Sequence, residues 1–210
     1  AGHQRAVAQQ SAVIQADGYE KKVEAGFKEM RSTTGWSPIW CEYALAYDKL
    51  VIAAAASKEK RDKGWMTRIH PLKTNTGRIL LPLYSDGYNL SMTMNSDDQG
   101  ATWFPSDPIV GLGPIQPSLV QALNGNIVAY MRTSGENERI FQATSKDNGA
   151  TWSIASDTEV PNPGSSLELT KLADGNWLLV CNDTTDGRNR LSAWMSHDEG
   201  KNWCWKKVIV

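Results

Sequence analysis

The sequence runs to 210 residues, enough for one large domain or two small ones with a substantial core. Its 22 Lys and Arg against 23 Asp and Glu leave a formal net charge of −1, which removes the electrostatic argument for a nucleic-acid binder or a polybasic membrane-surface protein. No apolar run approaches the ~18 residues of a membrane-spanning helix, and Cys41, Cys181 and Cys204 are too few and too scattered for a disulfide framework or a metal knuckle, leaving room for one bridge at most.

Residues 1–63 are expected to form a helical lead-in or insertion. Ala, Gln, Glu and Lys dominate Gln4–Met30 and Cys41–Arg61, and β-branched residues are sparse there. Val7, Val13, Ile14, Val23 and Phe27 supply a broken apolar stripe, Asp17-Gly18 interrupts it, and Ser32–Pro38 is a plausible break between helices. The chain opens Ala-Gly with no basic start before an apolar core, so an export signal is expected to have been removed already, and a secreted or periplasmic location follows as an expectation.

Residues 64–210 follow a different grammar of short β-rich runs separated by Gly and Asn/Asp turns. Ser96-Asp97-Asp98-Gln99-Gly100-Ala101-Thr102-Trp103 recurs at Ser145–Trp152 and again at Ser196–Trp203, 49 and then 51 residues further on. Around these copies the strands fall into three four-strand units. The first is Arg68–Leu72, Arg78–Ser85, Tyr88–Ser96 and Thr102 onward; the second is Gln116–Ala122, Asn126–Arg132, Arg139–Ser145 and Thr151 onward. The third is Ser166–Leu172, Asn176–Asp183, Arg190–Ser196 and Trp203–Val210. Thr76-Gly77, Asn124-Gly125 and Asp174-Gly175 precede the second strand of each unit, as tight hairpins prefer.

Each copy reads S-x-D-x-G-x-[T/N]-W and resembles the Asp-box of bacterial sialidase-like proteins with BNR-type repeats. The resemblance covers residues 64–210 and implies a mainly β fold: a partial sialidase-like β-propeller of three four-stranded blades, where a complete one would hold six. Three blades cannot close a propeller, so the expectation is a fragment or a half completed by a second chain or a missing segment. Asp98, Asp147 and Asp198 are read as structural: Asp accepts loop N–H bonds, Gly takes positive φ and Trp packs beneath.

The resemblance also implies a reaction on acidic glycans, hydrolysis of the exo-sialidase (neuraminidase) kind. Sialidases grip the substrate carboxylate with arginines, the first from an Arg-Ile-Pro segment. Here Arg68-Ile69-His70-Pro71 resembles that segment with a histidine inserted. A planar guanidinium matches a carboxylate with two hydrogen bonds, as lysine cannot, and Arg132, at a second-strand end, is the next candidate, with Arg139 and Arg188 as possible thirds. Asp86 is the candidate acid and Glu168 the candidate base or tyrosine partner, so the catalytic set is Arg68, His70, Asp86, Arg132 and Glu168. Tyr84, Gln116, Arg139, Asn182, Asp183 and Arg188 are the candidate substrate-binding residues, chosen largely because equivalent blade positions converge near a propeller axis.

The nucleophilic tyrosine of sialidases comes from a late blade, and no tyrosine follows Tyr130. That mismatch keeps open a uronate lyase, in which arginine neutralises the carboxylate while His70 or a tyrosine moves the proton. A non-catalytic glycan-binding propeller is the third reading. No cofactor, metal or nucleotide motif is expected.

Overall fold

The computed structural model describes residues 19–32, 49–133 and 138–210. Helix α1 (Tyr19–Ser32) precedes a helical stretch α2 (residues 49–56) and the short α3 (Lys58–Asp62). The remainder of the expected helical segment, including the break after Ser32, lies outside the described residues. Three antiparallel four-stranded sheets follow in strict sequence order. They are β1 (Leu72–Lys73) to β4 (Phe104–Pro105) with β2 (Ile79–Ser85) and β3 (Leu90–Ser96); β5 (Pro114–Gln121), β6 (Ile127–Thr133), β7 (Arg139–Ser145) and β8 (Ser156–Pro161); and β9 (Leu167–Lys171), β10 (Trp177–Asn182), β11 (Leu191–Ser196) and β12 (Trp205–Val208).

The first strand departs from expectation. Only Leu72 and Lys73 pair with β2, so Arg68–Pro71 lies outside the ladder. Pro71 has no N–H to donate, and the chain upstream is held instead by the Met66–Tyr84 bridge.

Side-chain alternation decides how the blades stack. In the middle sheet Leu119, Ile127, Ala129, Met131, Phe141 and Ala143 join the core shared with the first sheet, whereas Val120, Ala122, Val128, Tyr130 and Ile140 join the core shared with the third. Successive residues of a strand point to opposite faces, so the middle sheet is apolar on both. The first sheet is likewise buried throughout β3, because Val23 and Phe27 of α1, one helical turn apart, pack with Val51 and Trp65 on the same core. In β10, by contrast, Trp177, Leu179 and Cys181 are buried while Leu178 and Val180 are only partly covered. Cys181 and Cys204 are free thiols, and burial pushes Cys181 up to about 12.

The S-x-D-x-G-x-[T/N]-W turns connect the third and fourth strands. Ser96 Oγ donates to Asp98 Oδ1 (2.8 Å), and Asp98 accepts from Thr102 N (2.8 Å) and Thr102 Oγ1 (2.7 Å), while Gly100 N donates to Ser96 Oγ at 2.8 Å. Asp147 and Asp198 repeat this pattern with Thr151 and Asn202. Gln99–Gly100, Asn148–Gly149 and Glu199–Gly200 all have positive φ, the signature of a type I′ hairpin turn. Hydrogen bonds from Thr102 hold the Asp98 carboxyl down to about 2, and Asn202 does the same for Asp198, also to about 2.

The second of these turns also docks on the preceding blade. Asn95 Nδ2 donates to Gly149 O (2.8 Å) and Arg78 Nη1 to Asn148 O (3.1 Å). A Cβ on Gly149 would sit 2.7 Å from Leu80 Cδ2, whereas one on Gly125 would meet nothing within 4 Å, although both glycines have φ above 80°.

Gly125→Ala therefore incurs only the left-handed backbone cost, about 1–2 kcal/mol, while Gly149→Ala adds overpacking against fully buried Leu80 for a total of about 2–4 kcal/mol. Urea midpoints compare the two, and equal losses would show that the turn does not dock as described. The depressed carboxyls carry a pH signature of definite sign. Their stabilisation is complete above the ordinary aspartate range, ~3.9, and is lost as pH falls from there through about 2. The Asp98→Asn/Asp198→Asn double variant should have a flatter acid limb in stability against pH, measured by thermal melts across that interval.

Candidate active site

The blade topology sorts the candidate residues by end. First-to-second and third-to-fourth strand connections, which carry the repeated turns, lie at one end of each sheet. Second-to-third connections and the entries to first strands lie at the other. Arg68 and His70 precede β1, Asp86 lies between β2 and β3, Gln116 opens β5, Arg132 is near the end of β6, Glu168 opens β9 and Arg188 lies between β10 and β11. All seven fall at the end opposite the repeated turns.

The side chains there meet across blades. Arg68 Nε donates to Ser166 Oγ at 3.0 Å, and His70 Nε2 lies 2.7 Å from Glu168 Oε1, so the first blade reaches the head of the third. The other ring nitrogen, His70 Nδ1, faces Pro71 O at 3.2 Å. Both ring nitrogens thus face oxygens, one on the first blade and one on the third. Arg132 Nε donates to Gln116 Oε1 (2.9 Å), and its Nη1 to Thr133 O (3.2 Å) and Gly164 O (3.2 Å). Arg188 Nη2 donates to the same Gly164 O at 3.2 Å. One carbonyl therefore holds two guanidinium groups from different blades.

Gly164 can serve because of its loop. Its φ of +71° suits glycine, and fully buried Asn162 anchors the turn by accepting from Ser165 N (2.8 Å) and donating to Asn182 O (3.2 Å). Asn162, Gly164 and Ser166 join the candidate cluster through these contacts, and the sequence did not single them out. Their signal was the Asn-Pro-Gly-Ser-Ser run, residues 162–166, which ends two residues before Glu168.

Among the described residues the cluster is a cationic concentration with the exposed Asp86 beside it. Burial lowers the half-buried Arg132 guanidinium from its ordinary range; Arg188 and Arg68 push the same way, and Asp86 and Tyr84 oppose them. Those four groups are therefore close enough to act on Arg132. Three guanidinium groups with exposed donors favour an anion, and a carboxylate fits their fork geometry. Asp86 is exposed, whereas Tyr84 is buried. Among the described residues no group of three or more His, Cys, Asp or Glu could hold a metal ion.

Three expected binders at the same end are engaged by other partners. Arg139 spans β7 and β8, donating to Thr158 O (3.4 Å) and lying 3.6 Å from Glu159. Asn182 donates to Arg190 O at 2.9 Å and so braces the loop bearing Arg188. Asp183 is buried between Arg190, at 2.7 Å, and Lys206. Burial alone would raise its carboxyl, but hydrogen bonds from Lys206, Arg190 and Ser192 outweigh that and hold it low. Its charge is satisfied within the third blade, which removes it from the binding set.

A family model described as a BNR repeat-like domain matches residues 63–209. The chain belongs to this BNR repeat-like family. Anhydrosialidase of Macrobdella decora is 30% identical over 131 residues, which cover 58% of this chain and 17% of that protein. The sialidase of Clostridium perfringens is 30% identical over 164 residues, covering 62% of this chain and 42% of that protein. A solved structure of a leech intramolecular trans-sialidase in complex with 2,7-anhydro-Neu5Ac superposes with a TM-score of 0.56 at 22% identity, covering 66% of this chain and 24% of that one. The BNR repeat-like chain thus spans 42% or less of the length of these relatives. The mainly β, propeller-type reading holds, and the family is sialidase-like.

A small carboxylate bound by Arg68, Arg132 and Arg188 should stabilise the BNR repeat-like protein by mass action, by about 2.7 kcal/mol at a hundredfold excess over Kd. The expected upward thermal shift is absent in Arg68→Ala and Arg132→Ala and retained in Arg139→Ala. A shift that vanishes with Arg139 instead would relocate the anion site.

Proposed function

We propose that this protein is a glycoside hydrolase of sialidase type that binds the carboxylate of an α-linked sialic acid. The observation that carries the reading is the convergence of Arg68, Arg132 and Arg188 from three successive blades, two of them on the carbonyl of Gly164. The sialidase names of the relatives support the substrate class. In this reading the guanidinium groups fix the sugar by its carboxylate, and positioning lowers the barrier to attack at the adjacent anomeric carbon. Asp86, exposed beside Arg132, protonates the departing glycosidic oxygen as general acid. Glu168 is engaged with His70 and orients the floor of the site from the third blade.

The test is release of the aglycone from a fluorogenic α-sialoside by the full-length protein. Removing one buried half of a charge-assisted contact costs about 2–5 kcal/mol, so Arg132→Ala should lower kcat/KM by roughly two to three orders of magnitude. Asp86→Asn should lower kcat most for substrates with poor leaving groups, because those depend most on protonation.

The His70–Glu168 contact favours one second reading, elimination from a uronate. An arginine-neutralised carboxylate acidifies the neighbouring carbon, and a histidine next to it can exchange the proton. The two readings separate by product. Elimination generates an unsaturated sugar that absorbs in the ultraviolet, and hydrolysis does not. Absorbance growth on a uronate polymer with no aglycone release from sialosides would sink the hydrolase reading.

A further inference from the structure

The entry to the second blade contains a conformational feature that the fold alone does not require. In β5, Ile115 pairs with Arg132 and Ser118 with Tyr130, so Gln116 and Pro117 together face the single residue Met131, a β-bulge. Gln116 there has φ +58°, a left-handed conformation that strains a non-glycine residue, and it immediately precedes a proline. The residue is nonetheless buried, with 6% of its surface accessible. Such strain persists where the surroundings over-determine it, and it clusters at functional sites. Here the left-handed turn carries the side chain to Arg132, whose Nε donates to Gln116 Oε1 at 2.9 Å.

That contact selects which edge of the guanidinium is presented. Nε is occupied by Gln116, and Nη1 by Thr133 O and Gly164 O. Among the described residues Arg132 Nη2 makes no protein hydrogen bond and is left to meet an anion. The repeat supports a dedicated role for the position. Arg68, Gln116 and Ser166 each lie nine residues before the hairpin glycine of their blade, Gly77, Gly125 and Gly175. The same blade position thus supplies one site arginine and, in the next two blades, the acceptors that hold Arg132 and Arg68.

We propose that Gln116 is a positioning residue for carboxylate recognition, its bulged left-handed backbone placing an amide oxygen that orients Arg132. The proposal rests on the carboxylate-gripping role of Arg132 put forward above. Gln116→Gly tests it cleanly, because glycine is at home at this φ while the acceptor is removed. The full-length variant should melt at or above the wild-type temperature. Its affinity for N-acetylneuraminic acid should fall about tenfold to a hundredfold, the loss expected of a hydrogen bond to a charged group, and its affinity for the corresponding methyl ester, already weak, should not change. In turnover the loss should appear in KM ahead of kcat, and in an Arg132→Ala background the Gln116 substitution should add nothing.

The two claims fail separately. If Arg132→Ala weakens acid binding but Gln116→Gly does not, the positioning role is wrong and the carboxylate reading stands. If Arg132→Ala is also without effect, the carboxylate reading falls and takes this proposal with it. Equal weakening toward acid and ester would overturn the positioning role as well. Should Gln116→Gly melt lower than wild type, Gln116→Met, similar in length and lacking the acceptor, is compared for the same acid-against-ester difference, and its absence counts against the proposal.

Discussion

The middle sheet is buried on both faces, and most of the remaining structure depends on that constraint. Alternate residues of β6, Ile127, Ala129 and Met131 on one side and Val128 and Tyr130 on the other, feed two separate cores. Each strand is therefore committed in register, because a slip of one residue would exchange the two sets and disturb both interfaces at once. The repeated turns reinforce the same stacking through the backbone. The carbonyl oxygens of Asn148 and Gly149 accept from Arg78 and Asn95 of the preceding blade, and a bare glycine is required where Leu80 comes close.

With the stacking fixed, the blades divide labour between their two ends. One end holds the repeated turns, in which Asp98, Asp147 and Asp198 are saturated by their own loops. The other collects residues whose hydrogen bonds cross from blade to blade, so its geometry depends on the stacking. Arg68 and His70 reach Ser166 and Glu168 in this way, and Gly164 O gathers Arg132 and Arg188. Fixed acceptors hold guanidinium groups near one another despite their mutual repulsion, and partial burial of Arg132 strengthens its pull on an anion. The scaffold thus preorganises these side chains, which are placed by strand ends that the core already fixes.

Much of the fold was legible before any coordinate, for a local reason. Ser, Asp, Gly and Thr or Asn of each repeated turn interact within eight consecutive residues, so spacing alone reports the geometry. Arg68 was singled out by the resemblance of Arg68-Ile69-His70-Pro71 to an Arg-Ile-Pro segment, and Arg132 and Arg188 by their places at a strand end and a blade loop; all three lie at the same end of their sheets. Arg139, Asn182 and Asp183 occupy comparable blade positions and are already engaged by other partners. Glu159 and Thr158 hold Arg139, Arg190 and Lys206 hold Asp183, and the Arg188 loop uses Asn182 as a brace. Competition from neighbours within the same blade decided these cases. The shortening of β1 to two residues has a nearer cause in Pro71, yet its effect, freeing Arg68 and His70 to cross toward the third blade, needed the third blade to be in place.

By itself the sequence determined the repeating unit, its four-strand order, the structural character of the repeated aspartates and the presence of arginines at blade ends, because each of these follows from short-range hydrogen bonding and period-two burial. Only the tertiary structure decided which polar groups at those ends face one another. Gly164 became an acceptor shared by arginines of two blades, Gln116 turned inward to Arg132 within the second blade, and Asp183 was withdrawn into ion pairs within the third. Such contacts are set by how two-sided sheets stack, and a side chain's free hydrogen-bonding capacity is fixed only once every competing partner has taken its place.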